Sequence, residues 1–492
     1  MIVAMGASGA GDTASGPEAD SASIGQVDQV RSAPFLKPIM VSGTQPVFGE
    51  WHSNVLPNGN IIVGWIDVAS GVGCGFTTST DNGKTWSPPS VMEASANSGG
   101  DPVVTVDADG TVYRSCILTP KSGGGDGTWY QKSTDGGLTW DTATKRAVQP
   151  FDDYQWAATD KGTIWQVFNN GNAGMRVSTD EGKTWGSEST VSNGWPSCIQ
   201  FTEGTIYGFS GQEGQQMQFF KSTDRGATWT KKNVLTIKGG SRGECVYDAV
   251  RKDLWFVWAQ GGFGNTGNGP STAVQVLHSS DLGETFDPAV VVYDPKASSD
   301  FASLGVDVSG GLHVAWMDKS GGFAQAWYSN STDKGKTWST PLKVSDHTSA
   351  SGAQYIHYGK GLTVTPTGTV CFSYPAPGST SSSTSMFVAC GAAASQGVAR
   401  VGVVPATATI TTDQTQQFTA TAYDSNNNPL QGITFSWAAT DGSVGASGLL
   451  TPQKTGTHTV TATAQGKSGT AQVTVNPGAA VSVSIAPPTA TI

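Results

Sequence analysis

The chain has 492 residues, and its 28 Lys and Arg stand against 38 Asp and Glu, for a formal net charge of −10 at pH 7. The basic residues form no cluster, which excludes a nucleic-acid or anionic-membrane partner, because both need a basic patch. No apolar run approaches the roughly 18 residues of a membrane-spanning helix, so membrane insertion is excluded as well, and 16 Trp at low charge density argue for a folded chain.

Residues 1–30, beginning MIVAMGASGAGDTASG, lack a basic n-region and a long apolar core, and read as a flexible segment with no clear signal peptide. FLKPIMVSG from Phe35 reads as a β-strand similar in pattern to later runs such as TPLKVSD. Short β-rich runs bounded by turn residues follow: NIIVGWIDV, TVYRSCILT, TIWQVFNN, TIYGFSG, DLWFVWAQ and LHVAWMD. No helical period spans more than a turn or two.

Between these runs one phrase returns: STDNGKTW at Ser79, STDGGLTW at Ser133, STDEGKTW at Ser178, STDRGATW at Ser222, SSDLGETF at Ser279 and STDKGKTW at Ser331. A period of about fifty residues marks a repeat architecture. Each unit reads as four strands, with the phrase joining the third to the fourth, which is the plan of a β-propeller blade. A further stretch from Gln354, QYIHYGKGLTVTPTGTVCFSY onward, supplies three strands and no phrase. Pairing it with FLKPIMVSG gives seven blades and seals the ring with both ends, leaving no open edge; six blades is the alternative. The predicted fold is all-β, a propeller over residues 31–394.

The phrase itself reads as a folding device. Gly supplies positive φ, the Asp carboxylate accepts turn N–H groups, the hydroxyls satisfy others, and the terminal Trp or Phe286 wedges against its surroundings.

Residues 397–476 alternate apolar and polar residues, are almost uncharged and hold one Trp437, the pattern of a β-sandwich. Residues 477–492 echo VGVVPATATI and read as the start of a second such unit. Asp424 to Asn428 and DADG at Asp107 read as turns rather than calcium loops, since the expected Gly and Glu are missing. No motif implies a cofactor or a metal.

The six Cys have no CxxC spacing, and an even number in an acidic Ser/Thr/Gly-rich chain fits a secreted or cell-surface bacterial protein. Cys371 and Cys390 fall on adjacent strands, and Cys198 and Cys245 hold equivalent places in neighbouring units, so both pairs are expected to bridge.

In a propeller the innermost strand of each blade lines the central channel. Those strands start at GEWHSNV, GGDPVVT, DDYQWAA, GWPSCIQ, SRGECVY, SDFASLG and QYIHYGK. They offer Glu50, Trp51, His52, Asp101, Asp153, Tyr154, Trp195, Arg242, Glu244, Asp300, Tyr355, His357 and Tyr358. Aromatic faces stack on sugar C–H surfaces and carboxylates take hydroxyls or move protons, so a ring of both suits a glycan or polysaccharide partner. A monomer is expected.

STDxGxTW resembles the Asp-box, or bacterial neuraminidase repeat, of sialidase-like propellers, and the resemblance covers residues 31–394. In that family the boxes sit at the blade periphery, away from the active-site mouth. GEC at Gly243–Cys245 is similar to the phrase that places the family's glutamate, which implies a catalytic Glu244. Tyr355 or Tyr358 would stand for the family's nucleophile, and Asp101 or Asp67 for its acid. The family's carboxylate clamp needs three arginines. The place of the first reads GEWHSNV, and of the eight arginines only Arg242 and Arg114 are candidates for the mouth. The tail resembles a bacterial Ig-like domain. The resemblance implies a glycoside hydrolase without the full arginine clamp, or alternatively a non-catalytic carbohydrate-binding or adhesion protein on an Ig-like stalk.

Overall fold

The computed structural model describes residues 35–43, 47–67, 73–92, 94–120, 127–145, 153–211, 216–236, 243–249, 251–259, 273–294, 299–318, 325–345, 358–377, 384–392, 398–423, 429–430, 433–480, 482 and 484. Among them there is no helix; the chain is all-β.

After β1 (Ile39–Met40), the strands group into antiparallel meanders in chain order. The first sheet holds β2 (Val47–Val55), β3 (Ile61–Asp67), β4 (Gly73–Ser79) and β5 (Ser90–Met92), and the second β6 (Ala94–Val106), β7 (Val112–Pro120), β8 (Gly127–Ser133) and β9 (Thr144–Lys145). The third holds β10 (Asp153–Asp160), β11 (Thr163–Asn169), β12 (Ala173–Ser178) and β13 (Ser189–Ser192), and the fourth β14 (Trp195–Thr202), β15 (Thr205–Gly211), β16 (Gln216–Ser222) and β17 (Thr230–Thr236). The fifth holds β18 (Gly243–Asp248), β19 (Asp253–Ala259), β20 (Val274–Ser279) and β21 (Val290–Tyr293), and the sixth β22 (Ser299–Val306), β23 (Leu312–Asp318), β24 (Gln325–Ser331) and β25 (Leu342–Lys343). Strand β26 (Tyr358–Lys360) runs parallel to β2 on its inner side, as Glu50↔Tyr358 and His52↔Lys360. The seventh sheet orders β27 (Leu362–Val364), β28 (Thr369–Pro377), β29 (Thr384–Ala392) and, outermost, β1, with Ile39 opposite Val388.

The first strands of successive sheets contact one another from β2 through β6, β10, β14, β18 and β22 to β27, and β27 contacts β2. The meanders therefore form a ring around a channel, a β-propeller. Second strands such as Ile61–Asp67, Asp253–Ala259 and Leu312–Asp318 are buried along their whole length because both faces meet neighbouring sheets.

Each repeated phrase lies between the third and fourth strands. In the first copy Ser79 Oγ donates to Asp81 Oδ1 at 2.9 Å and accepts the Gly83 N–H at 2.8 Å. Asp81 Oδ1 accepts the N–H groups of Lys84 and Thr85, and Oδ2 accepts the Thr85 hydroxyl at 2.6 Å. Trp86 Nε1 donates to the Gly83 carbonyl at 3.2 Å. The turn puts two consecutive residues at positive φ, 60° at Asn82 and 80° at Gly83, a pair that Asn-Gly adopts at little cost. In the other copies the Ser–Asp–Thr bonds recur.

The phrases also fasten one sheet to the one before it. A methyl group on Gly137, in the second sheet, would overlap Ile62 of the first. A methyl group on Gly83 would overlap the sulfur of Cys390 in the seventh sheet. Trp86 packs on the core cluster that contains Cys371 and Cys390, and Trp140 on the cluster that contains Ile62 and Phe76.

Three disulfides are present. Cys371–Cys390 and Cys198–Cys245 form as the strand positions imply. Cys74–Cys116, which the sequence reading did not pair, joins β4 of the first sheet to β7 of the second.

Beyond the propeller, β30 (Arg400–Val404), β31 (Thr407–Thr411), β32 (Gln416–Gln417), β33 (Thr419–Tyr423), β34 (Pro429–Leu430), β35 (Ser436–Ala439), β36 (Ser443–Val444), β37 (Leu449–Thr451), β38 (Gly456–Ala464) and β39 (Lys467–Asn476) form three sheets. They enclose a core of their own that includes Phe418, Val460 and Val473, with Trp437 packed against it. Asp424–Asn428 lies outside the described residues.

Candidate functional site

The inner strands are irregular by construction. Register shifts interrupt β2 between Phe48 and Trp51, β6 between Gly100 and Val103, β10 between Asp153 and Trp156, β14 between Pro196 and Cys198, and β22 between Asp300 and Ser303. Bulges re-aim side chains and are common at barrel rims and sites. Two of them hold non-glycine residues at positive φ, Asp101 at 50° and Phe301 at 56°.

Side chains of the inner strands tie neighbouring sheets together. Glu50 Oε2 accepts the Asp101 N–H at 3.2 Å, and Gln155 Nε2 donates to the Asp101 carbonyl at 2.6 Å. His52 Nδ1 accepts the Val104 N–H at 3.3 Å, which leaves Nε2 as the protonated nitrogen of the neutral ring. Gln200 Nε2 donates to the Cys245 carbonyl at 3.2 Å, beside the Cys198–Cys245 bridge. Glu244 Oε2 accepts the Leu304 N–H at 3.3 Å, and Ser303 Oγ accepts the Gly361 N–H at 2.9 Å.

One charged pair crosses this belt. Lys360 Nζ lies 3.0 Å from Glu244 Oε1. Lys360 comes from β26 against the first sheet, and Glu244 from β18 of the fifth. Burial pushes the Glu244 carboxyl above its ordinary value, while Lys360 and the Leu304 and Ser303 hydrogen bonds pull the other way. Burial, reinforced by the charge of Lys360, holds the His52 imidazole well below its ordinary range, so His52 is neutral at pH 7.

His52, Glu244 and Lys360 line one cavity of about 890 Å³. Trp156, Gln200 and Phe201 share its wall, and Trp156 packs edge-on against His52 with ring centroids 5.5 Å apart. The cavity extends to the far ends of the inner strands, where the turns at Pro57, Ala108, Lys161, Gly204, Val308 and Pro366 border it. It therefore reaches the face that carries the repeated phrases. A buried carboxyl of raised pKa, a neutral imidazole and an aromatic face are a set able to bind hydroxyl groups and to donate a proton.

Of the expected site residues, Glu244 and His52 meet in this cavity. Glu50 and Asp101 are buried beside each other on β2 and β6. Trp51 differs from expectation: it is 1% exposed and packs into the core beside Phe301, so it has no face to offer a ligand. Trp195 of the fourth sheet packs against the core cluster built from the first, sixth and seventh sheets, so it reaches across the ring. Asp67 is buried on β3. Arg114 does not reach the mouth: it is 2% exposed, binds Gln131 and Ser90, and stacks between Phe76 of the first sheet and Trp140 of its own sheet's phrase. Tyr355, His357 and Arg242 lie outside the described residues, as do the side chains of Asp153, Tyr154, Asp300 and Tyr358.

Sequence reasoning missed Lys360, Trp156 and Gln200. Lys360 stands two residues after Tyr358 on β26, so the period of two by which the sequence expects Tyr358 at the channel predicts Lys360 there as well.

The BNR/Asp-box repeat family model matches residues 77–88. No curated protein matches the chain. Among solved structures, the chain is similar to a protein of unknown function from Dyadobacter fermentans DSM 18053, at 12% identity and a TM-score of 0.44 over 74% of this chain and 99% of that one. It is also similar to the Hadza microbial sialidase Hz136, at 16% identity and a TM-score of 0.41 over 72% and 68% of the two chains. A third is an alpha-L-arabinanase of Penicillium chrysogenum complexed with arabinobiose, at 15% identity and a TM-score of 0.42 over 73% and 98%.

Proposed function

We propose that the protein is a glycan-directed member of the sialidase-like propellers that binds a neutral saccharide in the channel, with Glu244 as the proton donor of a glycoside hydrolase. The observation that carries this reading is Glu244 itself: a carboxyl 3% exposed, raised by burial, on the wall of a cavity that also presents Trp156. A general acid at neutral pH needs such a shift. Asp101 and Glu50 are the candidate second carboxylates. Arg114 is held by Gln131 and Ser90, which argues against a three-arginine clamp and hence against an acidic sugar.

The second reading, binding without turnover, is favoured by one specific contact. Lys360 engages Glu244 at 3.0 Å and stabilises its ionised form, which cannot donate a proton. The seven meanders, sealed by β1 on β29, support a seven-bladed propeller. The sheets over Arg400–Asn476 support an Ig-like stalk. Three disulfides support export to an oxidising compartment.

The test is a panel of aryl glycosides, a sialoside included, run beside a glycan array. Aglycone release that disappears in Glu244→Gln supports hydrolysis. Array binding without release supports the second reading, and neither binding nor release rejects both.

A further inference from the structure

We infer that Gln155 is a positioning residue, which holds the Asp101 carboxyl in place through a buried chain of hydrogen bonds that begins at Tyr130. This role rests on the glycan reading, in which Asp101 and Glu50 are the candidate second carboxylates, and it separates the two: Asp101 serves the reaction and Glu50 helps to hold Asp101.

The backbone of Asp101 is the first observation. Asp101 sits in the bulge that interrupts β6 between Gly100 and Val103, at a φ of 50°. A residue other than glycine keeps that conformation where its surroundings over-determine it, and such residues gather at functional sites. Both peptide groups of Asp101 are held from the neighbouring inner strands. Glu50 Oε2 of β2 accepts its N–H at 3.2 Å, and Gln155 Nε2 of β10 donates to its carbonyl at 2.6 Å. The backbone dihedrals set the direction of Cβ, so this clamp aims the carboxyl. The matching bulge of β22 puts Phe301 at a φ of 56°, but there an apolar ring packs against Trp51 in the core. At Asp101 the clamp is polar and the residue it holds is a buried carboxyl.

The chain behind Gln155 is the second observation. A carbonyl oxygen only accepts, so Gln155 presents Nε2 to Asp101 and turns Oε1 away. Gln155 Oε1 accepts from Gln166 Nε2, and Gln166 Oε1 accepts from the Tyr130 hydroxyl. The donors therefore run one way, from β8 of the second sheet through β11 and β10 of the third to the bulge on β6. All three side chains are buried. The Tyr130 ring is braced by Trp185 of the third sheet's phrase, with ring centroids 5.1 Å apart. A satisfied buried polar chain rigidifies what it holds, and removing one member leaves the next without its partner.

The experiment is an NMR titration of the full chain with isotope-labelled Asp and Glu carboxyls. The Asp101 and Glu244 resonances are assigned by their loss in Asp101→Asn and Glu244→Gln. Gln155→Met keeps the length of the side chain and removes its amide. Gln155→Glu restores the chain, because a buried carboxyl stays protonated and offers one donor and one acceptor. The Asp101 midpoint is expected to move by about half a pH unit or more in Gln155→Met and to return to the native value in Gln155→Glu, with Glu244 unmoved in both. Where an aryl glycoside is cleaved, kcat is expected to fall about tenfold or more in Gln155→Met while KM stays within about twofold. A native Asp101 midpoint in Gln155→Met, an equal displacement of Glu244, no recovery in Gln155→Glu, or an unchanged kcat overturns the role. Should Gln155→Met not fold, Tyr130→Phe, which removes only the first hydroxyl, is read by the same midpoints. If the native protein neither cleaves nor binds a glycan, the glycan reading fails, and the Asp101 midpoint alone still decides whether Gln155 positions that carboxyl.

Discussion

Lys360 Nζ sits 3.0 Å from Glu244 Oε1, joining the strand that rests on the first sheet to the inner strand of the fifth. Both groups are largely buried, so neither is well solvated without the other. Because burial raises the folded Glu244 carboxyl above 4.5, the native state keeps a proton that the unfolded chain has released. Stability from this group therefore falls as pH rises from the unfolded value through the folded one. Lys360→Met removes the opposing charge and extends that fall to higher pH. We expect the variant to lose roughly 3 kcal/mol at pH 8 and clearly less at pH 5, by urea unfolding. The double variant Lys360→Met with Glu244→Gln recovers most of the loss at pH 8. Equal losses at both pH values would contradict the pairing.

Gly83 meets the Cys371–Cys390 bridge, which makes this phrase the clasp between the first sheet and the last. Gly83→Ala combines a φ of 80° with an overlap on the Cys390 sulfur. Gly110→Ala carries the same kind of φ, 87°, with nothing within 4 Å. The control is expected to cost about 1 kcal/mol and Gly83→Ala roughly 1–3 kcal/mol more, read as a drop in Tm. Matching drops would mean that the phrase does not clasp the ring.

The phrase carboxylates predict an acid limit. Asp135, Asp180, Asp224 and Asp281 are held down at about 2, first by the hydroxyls of Thr139, Thr184, Thr228 and Thr285 and then by the amides of the same residues. A depressed folded pKa gives stability that is present above the unfolded value of 3.8 and is lost as pH falls toward 2. Urea midpoints should fall steeply as pH drops below about 4. Asp180→Asn should be less stable at pH 7 and should fall less steeply below pH 4, and an unchanged slope would show that the carboxylate is not responsible.

His278 acts in the opposite direction. Burial pulls its imidazole down, but the Asp253 carboxylate 3.4 Å from Nε2 and the Asp287 carboxylate hydrogen-bonded to Nδ1 at 2.6 Å outweigh it and leave the ring above 6.5. The ring also stacks on Trp255 with centroids 4.1 Å apart. Its contribution is complete below 6.5 and is lost as pH rises through the folded value. A titration of the His278 ring protons by NMR should show a midpoint above 6.5 that drops in Asp287→Asn. A midpoint that ignores Asp287 would remove the ion pair from the account.

The ring plan was readable because it repeats. Asp81, Gly83 and Trp86 fix a turn by local hydrogen bonds, and local chemistry survives translation from sequence to structure. The place of β1 was readable because its pattern matched strands that share its environment. The channel wall was less readable, since bulges at Asp101 and Phe301 break the period of two on which facing is inferred. Trp51 shows the cost: one residue past a bulge, it turned from the channel into the core. Arg114 was misplaced because stacking against Phe76 and Trp140 is a tertiary contact with no local signal. The reach of the cavity to Ala108 and Gly204 came from the closed ring and from no single segment.

The most direct test is calorimetric titration of neutral hexasaccharides into the native protein, Trp156→Ala and Glu244→Gln. Native protein is expected to bind one of them, and Trp156→Ala to bind it about tenfold more weakly, a loss of roughly 1.4 kcal/mol for the stacking face. It predicts that Glu244→Gln still binds but has lost any turnover. Native protein that binds none, or Trp156→Ala that binds as well as native, would contradict a saccharide site in the channel.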